Sequence, residues 1–164
     1  MQNLKKNLSH VMQKLSRLKT NNNKVKIRLA QIKDLKFTFE IYNENILKKK
    51  FFSKKKITFK EHELWFKKKI KEKMLFICSY RVRIGYIRYD DLRNKKLSIS
   101  IAVKDKYKRH GFGRLMLKKT LNHKKIVNKN IFAYVKKNNF SSKKFFSDFG
   151  FKQINSNTYL MKSK

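Results

Sequence analysis

From residue 25 onward, apolar and polar positions alternate in runs whose period changes between two and about 3.6, which separates strands from helices. Residues 25–29 alternate as a strand does. Residues 34–47 place Leu35, Phe39, Tyr42 and Ile46 on one helical face, and residues 48–56 form a basic loop. Thr58-Phe-Lys-Glu61 is a capping box, in which hydroxyl and carboxylate satisfy free backbone N–H groups at a helix start. The helix it opens runs to about Lys73 and is expected to bury Leu64, Trp65 and Ile70. Three strands follow, at 74–79, 83–89 and 97–103, with Gly85 in the second marking a bulge or a close backbone approach. A basic loop at 104–113 leads into a helix over 112–123, and residues 131–135 form a short apolar strand. The helix over 139–149 is capped by Asn139 and stopped by Gly150. Residues 151–154 and 158–161 read as a closing hairpin around 155–157. The order β-α-α-β-β-β-α-β-α-β-β predicts one α/β domain over 25–164, a mixed central sheet flanked by helices.

Residues 1–24 stand apart. Leu4, Leu8, Val11, Leu15 and Leu18 recur at helical spacing among basic residues, with no acid, until the run Asn21-Asn22-Asn23 breaks the pattern. Three readings stand for this basic amphipathic extension: a frayed helix outside the core, an organelle transit peptide, or an upstream start with Met12 as the true first residue. No apolar run approaches the roughly 18 residues of a membrane span, so the expected location is cytoplasmic, with organelle import through the extension as the alternative. The single cysteine, Cys78, lies in an apolar strand and reads as a buried, inert thiol. No Cys/His cluster has metal spacing, so no metal is expected.

Charge changes this picture less than its size suggests. The chain holds 45 basic and 10 acidic residues, a net charge of +35. Lys supplies 37 of the basic residues and Arg 8, while Pro is absent and Gly numbers four. Depletion of Gly, Pro and Arg together is the mark of an AT-rich genome, whereas a surface reading nucleic acid would favour Arg. A basic nucleic-acid binder without catalysis is the competing class, and no specific nucleic-acid partner is expected.

In so glycine-poor a chain, Gly111 and Gly113 are informative. They lie between a strand ending at Val103 and a helix start, in the segment Lys108-Arg-His-Gly-Phe-Gly-Arg114. Free N–H groups at a helix start favour an anion, and glycine lets the backbone approach phosphate closely. Lys108, Arg109 and Arg114 add positive charge. A plain strand–turn–helix connection would need only one glycine.

This loop resembles the coenzyme A pyrophosphate motif of the GCN5-related N-acetyltransferase (GNAT) superfamily, Arg/Gln-x-x-Gly-x-Gly/Ala, with Lys108 at the first position. A second segment is similar to the family's closing strand and last helix: Ala133-Tyr-Val135, then Asn139-Phe-Ser-Ser142, Phe145-Phe146 and Gly150-Phe151. The resemblance implies the acyltransferase fold over about 25–162 and acetyl-CoA as cosubstrate. It implies cofactor contacts from Ile101, Val103, Lys108, Arg109, His110, Gly111, Phe112, Gly113, Arg114, Asn139, Ser142 and Phe146. Many members carry a Tyr on the last helix that protonates the departing thiolate; Phe146 matches that position and has no hydroxyl, leaving Tyr134, water or solvent for the task.

Ile41-Tyr-Asn-Glu44, Ile57-Thr-Phe-Lys-Glu-His62-Glu-Leu-Trp65-Phe66 and Gly85-Tyr-Ile-Arg88-Tyr-Asp90 resemble a branch that includes the pseudaminic acid pathway UDP-amino-sugar N-acetyltransferase. The implied function is acetyl transfer to the primary amine of a small acceptor, a nucleotide-linked amino sugar first; a protein amine, ribosomal or N-terminal, is the same-fold alternative. The oligomeric state stays open, a homodimer being one form. His62, which titrates in the right range to strip a proton from the amine, is a candidate base and otherwise a first-turn surface histidine. Asp90 is a second candidate, while Glu61 is better spent on the capping box. Arg88 suits a phosphate or carboxylate and Trp65 a sugar or base, or core packing. Asn43 suits substrate or a polar helix face.

Overall fold

The computed structural model describes residues 25–47 and 56–163, so the expectations for 1–24 and 48–55 fall outside the described residues. The order predicted from the sequence is the order observed. Strand β1 (Val25–Leu29) precedes helices α1 (Leu35–Leu47) and α2 (Phe59–Glu72). Strands β2 (Leu75–Tyr80), β3 (Val82–Asp91) and β4 (Lys96–Val103) follow, then α3 (Phe112–Leu121), β5 (Asn130–Tyr134), α4 (Phe140–Phe149), β6 (Lys152–Asn155) and β7 (Thr158–Lys162). The strands form one seven-stranded sheet in the order β1-β2-β3-β4-β5-β7-β6. Every neighbouring pair is antiparallel except β4 and β5, which are parallel.

Alternation along the strands divides the core between the two faces. Ile87, Tyr89, Leu97, Ile99, Ile131 and Ala133 pack with Leu115, Met116 and Leu117 of α3 and Phe146 of α4. On the other face, Leu75, Ile77, Tyr86 and Ala102 pack with Phe37 and Ile41 of α1 and Phe66 of α2.

The predicted inward faces of α1 and α2 need correction. Leu64 is 65% exposed, and the buried residues of α2 are His62 and Phe66, one turn apart. His62, read as a first-turn surface residue or a base, is only 1% exposed. On α1 the buried stripe is Phe37, Thr38, Ile41 and Asn45. Two of its members are polar and return a donor to the helix, Thr38 Oγ1 to Leu35 O at 2.9 Å and Asn45 Nδ2 to Ile41 O at 2.8 Å. A hydrophobicity count misses such positions because the hydrogen bond, not the side chain's polarity, decides their burial.

Other local expectations hold. Thr58 Oγ1 accepts from Glu61 N at 3.2 Å while Glu61 Oε2 accepts from Thr58 N at 2.7 Å. Asn139 Oδ1 accepts from Ser142 N at 3.2 Å, and Gly150 ends α4 at φ 107°. Gly85 sits opposite a bulge between Cys78 and Ser79, and a Cβ there would lie 2.4 Å from the Ala102 carbonyl oxygen. Burial pushes the Cys78 thiol up to about 12, which keeps it protonated and unreactive.

Buried Asp34 fastens α1's approach to the sheet: its carboxylate accepts from Arg28 Nη1 and Nη2 at 2.6 and 2.9 Å, from Gln31 N at 2.9 Å and from Arg83 Nη1 at 3.2 Å. Burial alone would raise the Asp34 carboxyl, but these donors outweigh it and hold it below its ordinary value.

Candidate active site

Between β4 and β5 the sheet opens. β4 and β5 pair only through Lys96–Asn130, Leu97–Ile131 and Ser98–Phe132. Beyond Ser98 and Phe132 the ladder stops, although both strands continue, to Val103 and Tyr134. Lys104 N donates to Ile84 O at 2.8 Å, which puts the backbone of residue 104, and by alternation 102 and 100, toward β3. The N–H and C=O groups of Ile101 and Val103 therefore face the opening. An unpaired strand edge of this kind takes an extended amide-bearing chain.

The loop at the end of β4 closes this opening on the α3 side. Asp105–Tyr107 makes a 3-10 turn, Arg109 adopts φ 62°, and Gly111 enters α3 as its N-cap at φ 80°. Only glycine takes the last conformation at little cost. Gly111 provides no side-chain cap and α3 has no acid in its first turn, so the N–H groups of Phe112, Gly113 and Arg114 are offered outward. That arrangement fits a pyrophosphate through backbone and helix dipole.

The two glycines serve different ends. Gly111 is demanded by its φ. At Gly113 a Cβ would stand 3.3 Å from Phe145 Cε2, so its smallness lets α3 pack on α4. The basic side chains are largely occupied. Lys108 is paired with Asp105. Arg114 donates to Asp148 O at 3.1 Å and its guanidinium lies 5.3 Å over the Phe149 ring, so it points to the end of α4. His110 Nδ1 donates to Lys108 O at 2.7 Å, tightening the turn, and Arg109 is exposed. Phe112 contributes only backbone, because its ring is buried against Tyr80 and Tyr107. Asn139 and Ser142 cap α4 together, and Phe146 is buried with its ring 5.0 Å from that of Phe151.

The remaining predicted residues gather on the opposite face, around α1, α2 and β3. His62 Nε2 lies 3.0 Å from Thr38 Oγ1. That hydroxyl also reaches the carbonyls of Asp34 and Leu35, which can only accept. Thr38 therefore gives its proton to a carbonyl and accepts from His62 Nε2–H, leaving Nδ1 bare; Nδ1 is buried without a partner among the described residues. The ring lies among Phe39, Tyr42, Trp65 and Phe66. Burial lowers His62 to about 4, a neutral imidazole and a weak base at physiological pH. Asn43 Nδ2 leans on Ile57 O at 3.5 Å, just ahead of α2, and its Oδ1 is buried and unpartnered among the described residues.

From His62 the cluster runs outward. Its ring centroid is 5.0 Å from that of Trp65, and the Arg88 guanidinium sits 5.3 Å from the Trp65 ring centroid. Arg88 Nε is 2.9 Å from Asp90 Oδ2, close enough for an ion pair though not aligned as a hydrogen bond. Lys69 Nζ is 2.6 Å from Asp90 Oδ1. Asp90 thus has both carboxylate oxygens engaged by cations. Tyr86, beside this cluster, is buried, and burial pushes its phenol up to about 12 against the opposing pull of Arg88.

Sequence reasoning missed Lys69, Tyr86, Ser98 and Ser100. Ser98 and Ser100 stand across from Asp90 and Arg88 on β4. Their signal was present in the alternation of serine with Leu97, Ile99 and Ile101, which marks a strand with one face kept polar. Tyr134 ends β5 at 51% exposure beside the opening.

The sequence profile of the acetyltransferase (GNAT) family matches residues 39–151. Among curated proteins, none matches the chain in sequence. Solved structures share its fold. A phosphinothricin acetyltransferase from Sinorhizobium meliloti in complex with acetyl-CoA superposes with a TM-score of 0.71 at 19% identity, covering 84% of this chain and 86% of the other. Spermidine N-acetyltransferase from Vibrio cholerae, solved with CoA and spermine, gives 0.72 at 17% identity, covering 86% and 96%. A ribosomal-protein-alanine N-acetyltransferase from Brucella melitensis gives 0.69 at 17%, covering 82% and 96%.

Proposed function

Because the chain belongs to the acetyltransferase (GNAT) family, we propose that it transfers an acetyl group from acetyl-CoA to the primary amine of a small acceptor, first among them a nucleotide-linked amino sugar. The observation that carries this reading is the opening between β4 and β5, bounded by an uncapped helix start. Acetyl-CoA supplies the activated acetyl thioester. Backbone N–H groups of residues 109–114 hold its pyrophosphate, and the free edge at Ile101 and Val103 holds the amides of its pantetheine arm. Lys108, Asn139, Ser142 and Phe146 border that arm through backbone and packing.

The acceptor enters from the α1/α2 face. Arg88, lying over the Trp65 ring, offers its outer N–H groups to a phosphate or carboxylate. Asn43 and Trp65 line the way in. The amine attacks unprotonated, and its proton leaves through solvent, since His62 is a buried weak base and Asp90 is ion-paired. Arg88 favours an anionic small acceptor over a protein amine, which would suit an open cleft with acidic walls. A thiol-release screen of amino-sugar nucleotides, polyamines and peptides with free N termini decides among them. Turnover confined to the peptides would overturn the small-acceptor reading.

A further inference from the structure

A departing sulfur needs a hydrogen-bond donor, and α4 presents only the buried phenyl ring of Phe146 at its place in this face of the core. The hydroxyls of Tyr89 and Thr120 are spent on each other at 2.8 Å, and Tyr159 reaches Gln153 Oε1 at 3.3 Å. The lips of the opening carry two more. On β4, Ile99 and Ile101 pack into the α3/α4 core, so Ser100 between them lies on the opposite face. On β5, Ala133 is in that same core, as is Val135 just beyond the strand, so Tyr134 also lies on the opposite face. The last parallel pair is Ser98 with Phe132. Two residues further along each strand come Ser100 and Tyr134, at one level, with the ladder already ended between them. Arg88 is the cross-strand partner of Ser100 on its other side.

We propose that Ser100 and Tyr134 form a hydroxyl pair, one on each lip of the β4–β5 opening, that donates hydrogen bonds to the thiolate leaving during acetyl transfer. The inference rests on the acetyl-transfer reading of the opening. In the step, the amine nitrogen bonds to the thioester carbonyl carbon, the C–S bond breaks, and its electron pair leaves on sulfur. The amine's proton goes to solvent. A phenol, with a pKa of about 10, is a weaker acid than a thiol at about 8.5. Tyr134 therefore stabilises the thiolate by donating a hydrogen bond and keeps its own proton. The proton that finally rests on sulfur comes from solvent, which reaches the half-exposed Tyr134.

The test needs no acceptor. Coenzyme A itself is bound to the protein and its thiol titrated by the ultraviolet absorbance of the thiolate. In the wild type the bound thiol should ionise below the pH at which free coenzyme A does. Tyr134→Phe should move that midpoint up by about one pH unit, Ser100→Ala by a smaller step, and the double variant by more than either. Circular dichroism checks that each variant is folded. Bound thiols that titrate in Tyr134→Phe and Ser100→Ala as they do in the wild type would overturn the proposal. A wild type that fails to bind coenzyme A at all would bring down the acetyl-transfer reading beneath it instead.

Discussion

The two faces of the sheet build their sites from different materials. The α3 side uses backbone: a strand edge without a partner, and three helix N–H groups behind a glycine at φ 80°. Its cations are mostly committed elsewhere, Lys108 to Asp105 and Arg114 to the end of α4. The α1/α2 side uses side chains: an aromatic cluster around a neutral histidine, an arginine over the Trp65 ring, and a carboxylate shared by two cations. Backbone sites tolerate drift in sequence so long as φ and helix start persist. Side-chain sites change specificity with each substitution. A common cofactor and a variable acceptor are what such a division suits.

The sharpest break in this contrast is Gly111→Val. A β-branched residue at positive φ costs on the order of 1–3 kcal/mol and disturbs the N–H groups aimed outward. Coenzyme A affinity by calorimetry should fall about 100-fold, the loss of nearly 3 kcal/mol of binding.

His62 gives the next effect, on stability. Its folded pKa of about 4 lies below the ordinary 6.5. The unfolded chain therefore binds more protons between those values, and stability falls as pH drops through that window. His62 should remove about 2 kcal/mol between pH 7 and pH 5. His123 is lowered in the same direction, by burial first and then by Lys124 and Lys125, and adds to the fall. Asp34, held below its ordinary value, acts only at lower pH. Denaturant melts of His62→Gln should show a flatter pH dependence than the wild type; an equal slope would contradict the buried, neutral ring.

Smaller effects separate the two sides. Arg88→Ala should raise the KM for the acceptor about 10-fold, the worth of one charge-assisted hydrogen bond, and leave coenzyme A affinity unchanged. Loss of coenzyme affinity in that variant would blur the division. Lys108→Ala should change coenzyme A affinity by less than about 3-fold, because its charge is already paired with Asp105 at a half-buried contact.

Legibility in the sequence follows the same division. Signals that are local and backbone-borne were readable: the Thr58–Glu61 capping box, the Asn139 cap, the Gly150 stop and the glycine loop after Val103 all stand where expected. Side-chain burial was less so. Leu64 turned outward and His62 inward because His62 shares a face with buried Phe66, four residues on, while Leu64, two residues from each, lies on the other side of the helix; the apolar count weighed Leu over His. Thr38 and Asn45 hide in the core behind bonds to helix carbonyls that composition does not reveal. Gly113 has a second reason for its smallness that no local pattern carries: Phe145, thirty-two residues on, would stand 3.3 Å from a Cβ there. The parting of β4 from β5 depends on two strands distant in sequence, so no local pattern announces it.

The central claim is that backbone amides at the start of α3 hold the cofactor's pyrophosphate. Amide chemical shifts followed by NMR while coenzyme A is titrated test it most directly, with pantetheine, which lacks the pyrophosphate, as the comparison. The amides of Phe112, Gly113 and Arg114 should move most with coenzyme A and stay near their free positions with pantetheine. Coenzyme A that binds while those three amides remain still would contradict it.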